Sequence, residues 1–280
     1  MTDIYIIIES GYNTSYISSL FIALFYKQSF FDNIINYNSK IKCFDYLQFL
    51  IKHNIIDQIR RNYSIETSIL NEIRNYCVIC GWKKEENITN LFDVADFYKF
   101  LVFNFDSETI KFVCLNNMNN NNEISSDCNK YLNLIEIDIN TTKINNINLS
   151  IDILLDEWVN NNITFNGKFI FKEVPNIISI YIKRNYENKF NNKSIDIMKR
   201  IKINGNNNVQ QNYITWKIHS LICYSEINPH YYSLILTEKN EWCLFDDTMK
   251  SSIVKISNMK NEDFTNKIKT ECVMLFYKLD

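Results

Sequence analysis

Residues 11–26 read GYNTSYISSLFIALFY. Ile17, Leu20, Phe21, Leu24 and Phe25 recur at i, i+3, i+4, i+7 and i+8. That spacing makes one broad apolar face, and it predicts a buried helix. The helix should begin near Asn13 or Thr14, since both residue types can cap an N-terminus. Asn13-Thr14-Ser15-Tyr16 therefore stands at its first turn. The first turn of a buried helix is a common seat for a catalytic nucleophile, and the candidate here is a serine.

On either side of this stretch, further helices come first and strands come later. Residues 44–76 predict helices, with polar breaks near His53–Asn54 and Asn62–Ser64. Asp93 is placed to cap a helix on which Val94, Phe97, Tyr98 and Leu101 share a face. Ser150 precedes Ile151, Leu154, Leu155 and Trp158 in the same helical pattern. Residues 107–147 suggest short strands and polar loops. After Gly167 the runs 169–173, 177–184, 213–224, 231–237, 241–245 and 272–279 are rich in β-branched and aromatic residues and are separated by turns. The order predicts an α+β fold: a helical lobe packed against a mostly antiparallel sheet.

The 280 residues are 46% hydrophobic and 14% aromatic, enough for a sizeable core. The net charge is −2, which gives no basic excess for nucleic acid or an anionic membrane surface. No apolar run approaches the roughly 18 residues of a membrane span. MTDIYIIIES lacks a basic region and a small-residue cleavage site, so a cytoplasmic protein is expected (host cytoplasm if the source is a virus). The eight scattered cysteines are then expected reduced. Abundant Asn and Ile suggest an AT-rich coding genome, and the Asn runs at 116–122 and 206–208 suggest loop tips.

The chain has three histidines: His53, His219 and His230. His53 lies among charged residues of a helical segment, and His219 lies inside a strand-like run. His230 stands at a turn-to-strand boundary in NPHYYSLI, ahead of EWCLFDD. A hairpin of 231–237 on 241–245 would return Asp246 to His230. A carboxylate there would orient the imidazole and support its protonated form. The spacing alone leaves open a plain structural hydrogen bond.

These residues together resemble the ubiquitin-specific proteases, the ubiquitin carboxyl-terminal hydrolases of papain-like cysteine peptidase fold. Asn13-Thr14-Ser15-Tyr16 with Ser19-Leu20 resembles the nucleophile box, usually Asn-Thr-Cys-Tyr-Met-Asn-Ser-Leu. Asp93-Val-Ala-Asp-Phe97 with Phe100-Leu101 resembles the aspartate box. VPNIISIYIKR (174–184), HYYSLI…EWCLFDD (230–247) and CVMLFYK (272–278) resemble the Lys-Arg strand, the histidine box and the closing strand. The resemblance implies one catalytic domain over 1–280, with a helical thumb at about 10–106, short fingers at about 107–168 and a β palm at about 169–280. It implies Ser15 as nucleophile, His230 as general base and Asp246 as its partner. Asp247 would be a nearby support, and Asp93 and Tyr231 would hold the ubiquitin tail. The implied reaction is hydrolysis of the bond after the tail's Gly-Gly. The implied partners are ubiquitin or a ubiquitin-like protein and its conjugates, with no cofactor, no nucleic acid, no membrane and a monomeric chain.

Three departures bear on activity. Ser15 replaces cysteine. Ser10 stands where the family has an asparagine that donates to the oxyanion, unless Gly11 shifts that loop. Leu91-Phe92 replaces a glutamine-rich approach to the aspartate box. A thiol at a helix N-terminus beside imidazolium can ionise at about pH 3.5–7.5. A serine must instead lose its proton to a base during attack, and one missing oxyanion donor costs about 10²–10³ in rate. Ser15 is thus open to four readings: an inactive ubiquitin binder, an engineered Cys→Ser trap, a working Ser–His–Asp hydrolase, or simply a helix cap. A repurposed interaction protein is a further class. Cys43 lies too far along to substitute. Relatives with two Cys-x-x-Cys pairs bind zinc; here Cys77-Val-Ile-Cys80 is a single pair, and Cys114 and Cys128 are unpaired. A site from these four is conceivable, but buried thiols and no metal are expected.

Overall fold

The computed structural model describes residues 8–26, 31–32, 36, 42–84, 86–87, 89–105, 110–116, 124–140, 149–160, 167–171, 173–186, 189–207, 210–249, 253–256 and 262–280. Helices α1 (Ser15–Phe25), α2 (Lys42–Leu50), α3 (Asp57–Arg61), α4 (Thr67–Ile79) and α5 (Val94–Asn104) come first. Strands β1 (Ile110–Asn116), β2 (Ile124–Leu132) and β3 (Ile135–Asp138), helix α6 (Ile151–Asn160), and strands β4 (Gly167–Phe171) and β5 (Ile177–Lys183) follow. The rest is β6 (Arg200–Asn207), β7 (Gln210–Ser225), β8 (His230–Leu236), β9 (Trp242–Phe245), β10 (Ile253–Ile256), α7 (Glu262–Glu271) and β11 (Cys272–Leu279). This is the expected α+β order with a mostly antiparallel sheet.

The chain divides into two compact units, 1–107 with 219–262, and 108–218 with 263–280. β7 runs through the boundary. In the first unit α1 is buried along its whole length, as its apolar periodicity demands. α1 lies against β8, which pairs antiparallel with β7 on one side and β9 on the other. Tyr16 and Phe21 of α1 meet Phe97 of α5 edge to face at 5.2 and 6.1 Å, a preferred aromatic geometry.

In the second unit β6 pairs antiparallel with β7, and β11 with β5. β3 adds to β5 in parallel, and β1 sits between β2 and β4 in a separate sheet. Trp216 is fully buried and its indole N–H donates to Pro175 O at 2.8 Å.

Several expectations are corrected. His53–Asn54 does not break the helical segment: residues Ile51–Ile56 form a π-helical turn joining α2 to α3. Apolar Ile51, Ile55 and Ile56 are buried there, so packing carries the helix through two polar residues. The break at Asn62 is real, with φ +60° in the left-handed region that Asn tolerates. Asn206 and Asn207 form the last two pairs of the β6–β7 hairpin, with Gln211 and Gln210, so the Asn run lies at its end but is strand as far as Asn207. The run at 117–122, and Asn208, lie outside the described residues.

Candidate active site

Ser15 is the first residue of α1 and is 4% exposed. The turn before it is tightly made. Asn13 takes φ +54° and its side-chain amide donates to Thr89 O at 2.9 Å. Arg74 of α4 donates to Tyr12 O at 3.0 Å. Gly11 N donates to Thr14 Oγ1 at 3.2 Å. A Cβ on Gly11 would lie 2.7 Å from that oxygen and 2.9 Å from Thr67 Cγ2, so only glycine fits. Thr14 is the residue before the helix, but its hydroxyl is spent on Gly11 and does not cap α1. The capping expected of Asn13 or Thr14 is thus replaced by a turn built back onto α4.

Ser15 Oγ accepts a hydrogen bond from Tyr231 N at 3.1 Å. The nucleophile position and the histidine strand therefore meet through a main-chain amide, 216 residues apart in sequence. Tyr231 itself is 5% exposed, with its ring 4.9 Å from that of Tyr224. Ser10 is exposed, and its described hydrogen bond is through its carbonyl, which accepts from Thr67 Oγ1 at 3.4 Å.

His230 opens β8, and the hairpin to β9 pairs Ser233 with Phe245. That register returns both aspartates to the imidazole. Nε2 lies 3.2 Å from Asp246 Oδ1 and 3.1 Å from Asp247 Oδ1. The hydrogen-bond geometry belongs to Asp246; one N–H cannot align on two oxygens, and Asp247 Oδ1 remains at ion-pair distance without a hydrogen bond. Burial works against the charged imidazole, but the hydrogen bond to Asp246 and the close charges of Asp246 and Asp247 outweigh it and push His230 up to about 9. For Asp246, burial is outweighed by bonds from His230 and from Thr248 N and Oγ1, which lower it to about 2. The sequence anticipated a single aspartate partner with a second nearby; the structure brings both to the same nitrogen.

Asp247 has a second partner that sequence reasoning missed. Ser18 Oγ, one turn after Ser15, donates to Asp247 Oδ2 at 2.8 Å. Both groups are buried. The one available signal was the i+3 spacing from Ser15, which puts Ser18 on the same helix face. Asp93 caps α5 as expected, with Oδ1 accepting from Ala95 N at 2.7 Å and Asp96 N at 3.3 Å.

His219 is buried, with Nδ1 2.9 Å from Ser220 Oγ, and His53 is exposed beside Asp57. Neither joins the site. Among the described residues, His230, Asp246 and Asp247 are the one group of three ligand-type side chains near enough to share a cation. Cys77 is buried at the end of α4. Burial chiefly, with Cys43 as its neighbour, pushes the Cys80 thiol up to about 12. The side chains of Cys114 and Cys128 lie outside the described ones.

A nucleophile position at a helix start, faced by a histidine strand with a carboxylate behind the imidazole, is the layout of a papain-like hydrolase. The family model for ubiquitin carboxyl-terminal hydrolase matches residues 8–277. The chain belongs to that family. Among solved structures it is similar to the SAGA DUB module of Ubp8, Sgf11, Sus1 and Sgf73 bound to monoubiquitin, with TM-score 0.61 and 15% identity over 99% of this chain and 69% of that one. At that identity the likeness shows the fold. A search of curated proteins finds no match.

Proposed function

We propose that this chain binds the C-terminal tail of ubiquitin or of a ubiquitin-like protein, and that with Ser15 in the nucleophile position it holds the tail with little or no cleavage. The observation that carries this reading is the sharing of His230 Nε2 by Asp246 and Asp247. Two carboxylates keep the imidazole protonated at neutral pH. For a cysteine that is the useful state, because imidazolium stabilises a thiolate. For a serine it is the wrong state, because the hydroxyl needs a neutral base to take its proton. With His230 titrating at about 9, roughly one imidazole in a hundred is neutral at pH 7.

The test is release of a fluorophore from the C-terminus of ubiquitin by the chain and by Ser15→Cys. The cysteine variant is expected to cleave at least about 10³-fold faster, with both forms binding ubiquitin equally. Rapid cleavage by the unaltered chain would overturn the non-cleaving reading. Binding by neither would overturn the ubiquitin reading.

A second reading, a serine-dependent hydrolase, is supported by the His230–Asp246 pair itself. Its mark is a rate that rises about tenfold per pH unit and levels near the His230 midpoint of about 9.

A further inference from the structure

We infer that Ser18 is a positioning residue: its hydroxyl holds the Asp247 carboxylate aimed at His230, and through that placement governs the protonation of the imidazole. The inference deepens the reading of the site given above. It does not depend on what the site binds.

Ser18 has one proton and three acceptors within reach. Thr14 O lies at 3.4 Å, Ser15 O at 3.3 Å and Asp247 Oδ2 at 2.8 Å. A hydroxyl donates once, and a charged acceptor at the shortest distance takes the proton. The two helix carbonyls already accept within or beside α1; Thr14 O receives both Ile17 N and Ser18 N. The Ser18 proton therefore belongs to Asp247.

Asp247 is 5% exposed, so water contributes little to holding it in place. Its described polar contacts are Ser18 Oγ on one oxygen and His230 Nε2 on the other. A buried carboxylate that loses one of two partners keeps a desolvated, unmet oxygen and is no longer fixed in direction. Asp246 differs: it is more exposed and draws two bonds from Thr248. The ionisable groups acting on His230 are these two aspartates, both from the turn after β9. α1, packed on the other side, brings no charged residue. A neutral hydroxyl on α1 is thus the means by which that helix acts on the imidazole.

The protein has only three histidines, so each can be followed by NMR. In Ser18→Ala the His230 midpoint is expected to fall by about one pH unit, because Asp247 loses the bond that aims its carboxylate at the imidazole. Ser18→Cys, of similar volume but a weak donor, should give a smaller fall in the same direction. Ser18→Thr, which keeps the hydroxyl, should restore the midpoint, and Asp247→Asn should reproduce the fall. The His53 signal is the internal control and should stay in place. In a Ser15→Cys background, the alkaline limb of kcat/KM on a ubiquitin substrate should move to lower pH with the His230 midpoint. An unchanged His230 midpoint in both Ser18→Ala and Ser18→Cys, with a fall in Asp247→Asn, would overturn the role of Ser18. Loss of ubiquitin cleavage in every variant would count against the ubiquitin reading, while the NMR midpoints would still decide for or against Ser18.

Discussion

Each of the two units buries a charge, and they neutralise it differently. In the second unit Arg184 is 1% exposed. Its guanidinium donates to four backbone carbonyls: Cys272 at 2.7 Å, Asn191 at 2.9 Å, Lys193 at 2.8 Å and Lys269 at 2.8 Å. In the first unit Asp247 is met by one hydroxyl and one imidazole. Carbonyl dipoles do not titrate, and a guanidinium stays charged at any pH a protein survives. The Arg184 centre is therefore a permanent clasp joining three segments of its unit. The Asp247 centre is held by a group that gains and loses a proton at about pH 9. The first arrangement suits structure and the second suits chemistry.

The contrast can be broken at several points, of which Ser15→Cys has the largest expected effect. Next comes Arg184→Met. It leaves four carbonyls without their donor, and should cost about 3 kcal/mol or more in urea unfolding. Arg184→Lys should recover only part, since one ammonium cannot reach in the four directions of a planar fork. If Arg184→Met unfolds at the same urea concentration as the unaltered chain, the clasp is not structural.

A pH scan of stability separates the centres further. His230 is raised from 6.5 to about 9 on folding. Its contribution is full below about pH 6.5 and is lost as pH rises through about 9. Asp246 is lowered from 3.8 to about 2. Its contribution is present above about pH 3.8 and is lost as pH falls through about 2. Their shared interaction is worth about 3 kcal/mol at most, with the plateau between about pH 4 and 6.5. In His230→Gln the decline on the alkaline side should flatten, whereas in Arg184→Met it should persist.

Asp93 gives the smallest effect and the sharpest one. Asp93→Ala should cost about 1 kcal/mol of stability, because the cap of α5 is lost. Asp93→Asn should keep the cap and change stability little. If Asp93 also holds the ubiquitin tail by its charge, Asp93→Asn weakens ubiquitin binding with no fall in melting temperature. Equal binding by Asp93→Asn and the unaltered chain would leave Asp93 as a cap alone.

Much of this was legible in the residues. The i, i+3, i+4, i+7 pattern located α1, and the apolar runs located β4, β5, β7, β8, β9 and β11 to within a few residues but left β6 and β10 unread. The hairpin spacing between His230 and Asp246 was readable because a strand, a tight turn and a strand fix where the chain returns. Periodicity failed where packing overrode polarity, as at His53–Asn54. Nothing local marked Ser18 as different from Ser19. Nor did anything local say that Thr14 would turn back to Gly11 instead of capping its helix.

The residues by themselves determined the element types, the family and the candidate nucleophile, histidine and aspartates. Those depend on short-range spacing and on side-chain chemistry. Tertiary structure alone decided that Asp246 and Asp247 share one nitrogen, that Tyr231 N–H meets Ser15 Oγ, and that Ser18 reaches Asp247 across 229 residues of chain. The first follows from the β8–β9 register and the other two from how α1 packs on β8. A difference of under 1 Å in that packing separates a hydrogen bond from none, and no pattern along the chain encodes distance that finely.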